Sequence, residues 1–416
     1  MDPGFLLVFF NILTIIPMTI SMLIGLEVIA PTWSISQNPV FVKVVYLHLV
    51  FIAVFVISYY LLNRNTKPNT FFDNSFLYNK VWIYLFVMLF FVIEIINLLS
   101  GNFYTRSDGH SGEIVRMFSE DYSLFSRQIF SRLNNLEGLS QNIAVGVIVC
   151  RAKTIKRARF YMILLPILFF SYSFIVHGSR GAATLLIPII AFADMVKWKG
   201  RLLNWPLFIF IFFGGFLFMH YVEVLETFFL AGYWGNWQVA LFTALEPRIF
   251  ENVGAITTMV DELGVPLRYG TSYIDAIRSL VPTQLLSKPV VALSHWFMYE
   301  LYGESYLDLG VGYAFSSIAE GYLNFKLYGV VFSGVLMAFL ASLIRYFKCS
   351  KRIPRIGPLL FTSTILMSYK LLRSDLVNII KRFEWNFILV LVLVILATIL
   401  LHVSKDNINV GSKTLI

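Results

Sequence analysis

The sequence predicts an all-α polytopic membrane protein with about ten to twelve transmembrane helices. Three observations carry that expectation. Of 416 residues, 58% are hydrophobic and only 14% are charged, against about a quarter charged in soluble domains. Stretches such as 44–63, 160–179, 202–222 and 385–404 hold no Asp, Glu, Lys or Arg. Each approaches the ~20 apolar residues that cross a ~30 Å hydrocarbon core. Finally, the basic residues gather in clusters between such runs.

The first run, 5–26, lacks a basic leader and exceeds a signal-peptide core, so a retained helix is expected. Runs at 42–62 and 81–100 flank Arg64, Lys67 and Lys80. Helix 136–150 ends at the densest basic cluster, Arg151, Lys153, Lys156, Arg157 and Arg159, and 160–177 departs from it. Helix 181–196 returns to Lys197, Lys199 and Arg201, and 203–222 leaves again. Helix 326–347 ends at Lys348, Lys351, Arg352 and Arg355. Helices 356–372 and 385–403 follow, with Lys405 and Lys413 beyond. Ten helices put every cluster on one side. The positive-inside rule makes that side the cytoplasm and places both termini there. The net charge of +9 is therefore read as orientation rather than nucleic-acid binding.

Three parts are expected: a bundle over 1–222, a large outer loop with short helices over 223–325, and helices with an inner tail over 326–416. A loop of about a hundred residues is far longer than a connection requires, and binding or catalysis is expected on it. Cys150 and Cys349 lie beside basic loops and form no disulfide framework. The chain has no CxxC, HExxH or Walker-type glycine loop. No cofactor or metal is implied.

The outer segments carry many arginines: Arg106, Arg116, Arg127, Arg132, Arg180, Arg248, Arg268, Arg278, Arg373 and Arg382. A guanidinium fork holds phosphate bidentately and stays charged in a partly dry site. Arg180 sits in "HGSRG", a tight turn between two apolar runs, where Gly178 and Gly181 permit the bend. Two roles fit it: snorkelling to headgroups, or contact with a lipid-linked diphosphate at the membrane surface.

Residues 294–329 of the outer loop interleave aromatics (Trp296, Tyr299, Tyr302, Tyr306, Tyr313, Tyr322) with Glu300, Glu304, Asp308 and Glu320, beside His295. Aromatic faces next to carboxylates suit sugar rings; an interfacial aromatic belt has the same composition. Glycosyl transfer needs a base for the attacking hydroxyl and cations for a departing diphosphate. His295, Glu304 and Glu320 are the candidate bases, and each also fits a structural role. No DxD-like metal pair is present, which suits a metal-independent reaction on a lipid diphosphate donor.

"HGSRGA", "EPRIFENVG", "GVGYAFSSIAEGYLNFKLYGVVFSGVLMAFL" and a late "LLRSDL" resemble the O-antigen (oligosaccharide repeat-unit) polymerases of the Wzy type. Lys326 departs from the pattern, since glycine is expected after "NF". The resemblance implies an inner-membrane glycosyltransferase with a GT-C-like fold. It would transfer a growing glycan from undecaprenyl diphosphate to another lipid-linked unit on the periplasmic face, with a Wzz-type chain-length regulator as partner. Arg180, Arg248 and Arg373 are the outer arginines that match the motifs; they are assigned to the diphosphates, and Arg278 is a further candidate for that role. Glu304 and Glu320 match acidic positions, with His295 a further candidate base. Trp296, Tyr299 and Tyr313 are the expected sugar platform. An O-antigen ligase acting on lipid A-core, a lipid-linked oligosaccharide flippase and a membrane sensor are the alternatives.

Overall fold

The computed structural model describes residues 2–23, 29–30, 33–34, 38–66, 76–77, 79–99, 124–177, 186–204, 207, 248–281, 285–286, 290–303, 315–350 and 352–413. These residues are largely helical, and their only strands form a two-residue antiparallel bridge, β1 (Ile29–Ala30) with β2 (Trp33–Ser34). The helices are α1 (Pro3–Leu23), α2 (Asn38–Asn63), α3 (Val81–Leu99), α4 (Leu124–Arg151), α5 (Ile155–His177), α6 (Leu186–Ala193), α7 (Arg248–Asp261), α8 (Thr271–Arg278), α9 (Leu293–Tyr302), α10 (Ser317–Cys349), α11 (Gly357–Thr364), α12 (Met367–Arg373) and α13 (Leu376–Lys413). Nearly all of the helix expected at 203–222, and residues 178–181 of the "HGSRG" turn, lie outside the described residues. Among the described residues, Val40–Asn63, Ser317–Cys349 and Leu376–His402 are long and apolar enough to cross a membrane.

The helices group into two compact units. One comprises Met1–Lys67, Pro206–Tyr346 and Met367–Glu384. Its first helix starts with Asp2 as N-cap and Pro3 in the first turn, where a missing N–H costs nothing. Asp2 Oδ1 accepts the N–H groups of Gly4 (2.9 Å) and Phe5 (3.2 Å) and the Tyr59 hydroxyl (2.8 Å). Asp2 Oδ2 accepts from the Arg345 guanidinium at 2.8 Å. The start of α1 therefore meets the ends of α2 and α10, as the alternation of expected helices requires. Near the other end of α2, Phe250 of α7 packs against Phe41 and stacks on His48, each with ring centroids 5.4 Å apart.

The central feature of this unit is a break in α10. Phe325 (φ −143°) and Lys326 (φ 51°, ψ −134°) leave helical geometry, and the chain doubles back. Ser333 Oγ donates to Ser317 O at 2.8 Å across a sequence separation of 16, which a straight helix forbids. Gly321 and Gly329 make the fold-back possible: a Cβ on either would overlap the carbonyl of the other. Residues 317–324 are thus a short helix antiparallel to 327–349. The longer arm begins within a residue of the expected helix at 326–347, and at 1.5 Å per residue it spans about 34 Å. Lys326 occupies the conformation that glycine adopts without strain, so the turn survives the substitution.

The second unit comprises Pro68–Trp205, Phe347–Leu366 and Trp385–Ile416. Helix α4 packs on α3, α5 and α6, with Gly146 seated against the Phe192 ring. The end of α4 is tied off by the turn after α6. Lys197 Nζ donates to the carbonyls of Cys150 (2.7 Å) and Ala152 (2.8 Å), and Trp198 Nε1 to that of Val149 (3.2 Å). A cation on the last carbonyls of a helix meets both their unmade hydrogen bonds and the negative end of the dipole. Arg159 likewise reaches the carbonyls of Arg201 and Leu202, both at 3.0 Å.

One expected element is corrected. The helix at 356–372 is two, α11 and α12, separated at Ile365–Leu366. The hydroxyls of Thr362, Ser363 and Thr364 bond back to the carbonyls of Pro358, Leu360 and Leu360 at 2.6–2.9 Å, a pattern that bends and weakens a helix.

Gly329→Ala should destabilise the fold by about 3 kcal/mol or more, read as loss of the folded peak in detergent size-exclusion. Lys326→Gly relieves backbone strain of about 1–3 kcal/mol and forfeits an exposed ion pair of about 0–1 kcal/mol. Thermal unfolding of the solubilised chain should show a stability equal to wild type or higher.

Candidate functional site

The short helix at 317–324 carries Glu320 into a buried polar junction. Glu320 is 1% exposed and Asp375 is 0% exposed. Glu320 Oε1 accepts the Ser272 hydroxyl (2.7 Å), and Oε2 accepts the Leu376 N–H (2.7 Å) at the start of α13. Asn324 completes the network. Its amide donates to Ser272 Oγ and to Glu320 O, each at 2.8 Å, while its Oδ1 accepts the Gly270 N–H at 2.8 Å. One acidic side chain thereby joins α8, α10 and α13.

Asp375 serves two helix starts. Its Oδ1 accepts the Asn378 N–H (2.9 Å), capping α13, and its Oδ2 accepts the Ser294 N–H (3.0 Å) at the start of α9. Asn378 Nδ2 bridges Asp375 Oδ2 (3.1 Å) and Ser294 Oγ (3.2 Å). Such caps contribute about 0.5–2 kcal/mol each, and carboxylates suit the positive end of a helix dipole. Beside Glu320, burial and then the Glu320 charge push the Tyr273 phenol up, keeping it neutral.

Cations gather on the same stretch of chain. Lys370, Arg373 and Arg382 repel one another electrostatically, and the Arg373 guanidinium lies 5.5 Å from the Tyr369 ring centroid. The Arg373 and Arg382 guanidiniums, with Lys370 nearby, favour a polyvalent anion next to the start of α13.

Aromatic groups stand on α9. The Arg268 guanidinium covers Trp296 at 4.5 Å, and Trp296 Nε1 donates to Glu300 at 3.0 Å. Tyr299 is 52% exposed, and His295 is exposed on the same helix.

The end of α7 adds a charged cluster. Asp261 accepts the Tyr322 hydroxyl (2.7 Å) and the Lys326 ammonium (3.0 Å), and it pairs with Lys43 of α2. Burial raises its carboxyl. The bonds from Lys43, Tyr322 and Lys326 outweigh burial and hold it below the ordinary aspartate range.

The structure thus brings Glu320 and Arg373 to the two elements that adjoin at the start of α13. His295, Trp296 and Tyr299 lie together on α9, whose first turn Asp375 caps. Arg278 closes α8 and pairs with Asp275 at 2.9 Å. Arg248 opens α7, and its side chain is outside the described residues. Arg180, Glu304 and Tyr313 also lie outside them. Sequence reasoning passed over Ser272, Asn324, Lys370 and Asp375. Only Asp375 carried a signal: an acid directly before an apolar run, followed three residues later by Asn, reads as a helix N-cap. Asn324 and Lys370 meet Glu320 and Arg373 at helical spacing, whereas Ser272 meets Glu320 only through the fold.

These features define a polytopic helical protein suited to membranes, with a buried acidic junction and a cationic cluster at the helix ends. The family model described as O-antigen polysaccharide polymerase Wzy matches residues 271–405, from the start of α8 into α13. The match bears out the resemblance and supports a role in O-antigen polymerisation in general, a glycosyltransferase-type activity on lipid-linked oligosaccharide. No curated protein and no solved structure matches the chain.

Glu320→Gln should cost about 1–3 kcal/mol, because an amide cannot accept from both Ser272 and the Leu376 N–H; thermal unfolding measures it. The Asp261 contribution to stability is present above the ordinary carboxyl range near pH ~4 and is lost as pH falls through its lower folded value, since the unfolded chain then binds more protons. Asp261→Asn should therefore flatten the loss of stability between about pH 5 and pH 3.

Proposed function

We propose that the chain polymerises undecaprenyl-diphosphate-linked O-antigen repeat units on the periplasmic face of the bacterial inner membrane. The single observation behind this reading is that the family match spans both Glu320 and the cluster of Lys370, Arg373 and Arg382. The opposed ends of α1, α2 and α10 support the expected orientation, with both termini cytoplasmic and the 223–325 segment outside.

In this reading the anomeric carbon–oxygen bond to the donor diphosphate breaks, and the acceptor hydroxyl forms the new glycosidic bond. The hydroxyl proton passes to a base, and undecaprenyl diphosphate departs with the electron pair. Arg373, with Lys370 and Arg382, stabilises that leaving group, and electrostatic stabilisation of developing charge is usually the largest catalytic contribution. Arg180, Arg248 and Arg278 hold the diphosphates of donor and acceptor, Arg278 exchanging its Asp275 partner to do so.

Glu320 is assigned a positioning role, because both of its oxygens already accept hydrogen bonds. Glu304 and His295 are then the proton acceptors. Tyr299, Trp296 and Tyr313 carry the sugar rings. The helices form a GT-C-like scaffold in three parts, 1–222, 223–325 and 326–416. The reaction uses no metal, and a Wzz-type regulator sets the chain length.

Deleting the gene should leave cores bearing a single repeat unit on a polysaccharide gel. Bare cores with accumulated lipid-linked polymer would instead mean a ligase, and unit-length material trapped inside would mean a flippase. Arg373→Ala and Arg180→Ala should each abolish the polymer ladder, a loss of ~10²-fold or more, with normal protein in the membrane. Arg180→Lys should also be impaired, since an ammonium has no bidentate fork. A full ladder from a normally expressed Arg373→Ala chain would remove the cationic cluster from the site.

A further inference from the structure

The turn between α4 and α5 holds a cavity of about 270 Å³ that the glycan chemistry leaves unused. Arg151, Lys153, Arg157 and Tyr161 line it, with Ile148 and Ala152. The wall is preformed. Lys197 and Trp198 satisfy the last carbonyls of α4, and Thr154 Oγ1 accepts the Arg157 N–H at 3.3 Å. The cationic groups therefore hang from a closed turn. Among the described residues, neither the Lys153 ammonium nor the Arg157 guanidinium has a hydrogen-bond or ion-pair partner, and both side chains are exposed.

Immediately beyond this turn α5 becomes apolar. Phe160, Ile167 and Leu168 share one face at helical spacing and are 59%, 53% and 54% exposed. A cationic cavity whose helix continues into exposed apolar residues matches a molecule with an anionic head and hydrocarbon tails. The volume lies below the ~300–1,000 Å³ of sites that enclose a whole small ligand, so it admits a headgroup and leaves the tails outside. Basic pockets between membrane helices hold lipid headgroups by this charge complementarity.

We infer that this cavity binds the phosphate group of an anionic membrane phospholipid, with Arg151, Lys153 and Arg157 as its cationic ligands and the Tyr161 hydroxyl as a further donor. The site lies on the face carrying the densest basic cluster and does not depend on the assignment of the glycan chemistry.

Native mass spectrometry of the full-length, delipidated chain with added phosphatidylglycerol, phosphatidylcholine or inorganic phosphate tests this. The wild-type chain should retain phosphatidylglycerol about tenfold more strongly than phosphatidylcholine. The double variant Lys153→Ala/Arg157→Ala, whose charged groups pair with no described residue, should lose that preference while keeping the wild-type melting temperature. Inorganic phosphate in excess should displace the retained phosphatidylglycerol from the wild-type chain. Equal retention of phosphatidylglycerol by the double variant would overturn the assignment. So would equal retention of both lipids by the wild-type chain. Tight binding of inorganic phosphate with no lipid retained would assign the cavity to a soluble anion and overturn the lipid.

Discussion

The contact between Gly321 and Gly329 is the constraint on which the candidate site depends. Two helix backbones approach there so closely that neither position has room for a Cβ. The approach folds residues 317–324 back along 327–349. Only a folded-back arm carries Glu320 to Ser272 of α8 and to the first N–H of α13. A continuous helix over Ser317–Cys349 would separate these groups by its own length. Close helix packing through small residues is a familiar membrane device; here it operates within one element, and the turn is clamped by Lys326 on Asp261.

A buried carboxylate is costly unless its oxygens are satisfied. Glu320 and Asp375 both satisfy theirs with backbone N–H groups at helix starts, supplemented by hydroxyl or amide side chains. The starts of α9 and α13 are thereby held to the hairpin, while Lys370, Arg373 and Arg382 stand just outside it on α12 and α13. Acid sits inside the junction and the cations sit beside it on the next helices. The cluster adjoins α13, one of the helices apolar enough for a bilayer.

The Asp261 cluster and the tied-off end of α4 show the same economy at other helix ends. Asp261 gathers donors from α2 and from the short arm and the turn of α10. Lys197 and Trp198 gather carbonyls from α4. In each case a polar group at a helix terminus meets backbone or charge that the helix itself cannot satisfy. The cost of Lys326 at positive φ falls in one of these clusters, where an ion pair offsets part of the strain.

The sequence by itself determined the class of the protein and the position of most long helices, because hydrocarbon thickness translates directly into apolar run length. It also located the stretch that matches the polymerase family. It did not show that α10 begins with a reversed arm. A merged apolar pattern reads alike whether the chain runs straight or doubles back, and Lys326 stood where glycine was expected. The break between α11 and α12 was equally hidden, since hydroxyls bonding to their own helix leave the hydropathy unchanged. The role of Glu320 was decided only by tertiary structure. Its partners lie 48 and 56 residues away in the chain, and no local pattern encodes which distant N–H a carboxylate will meet.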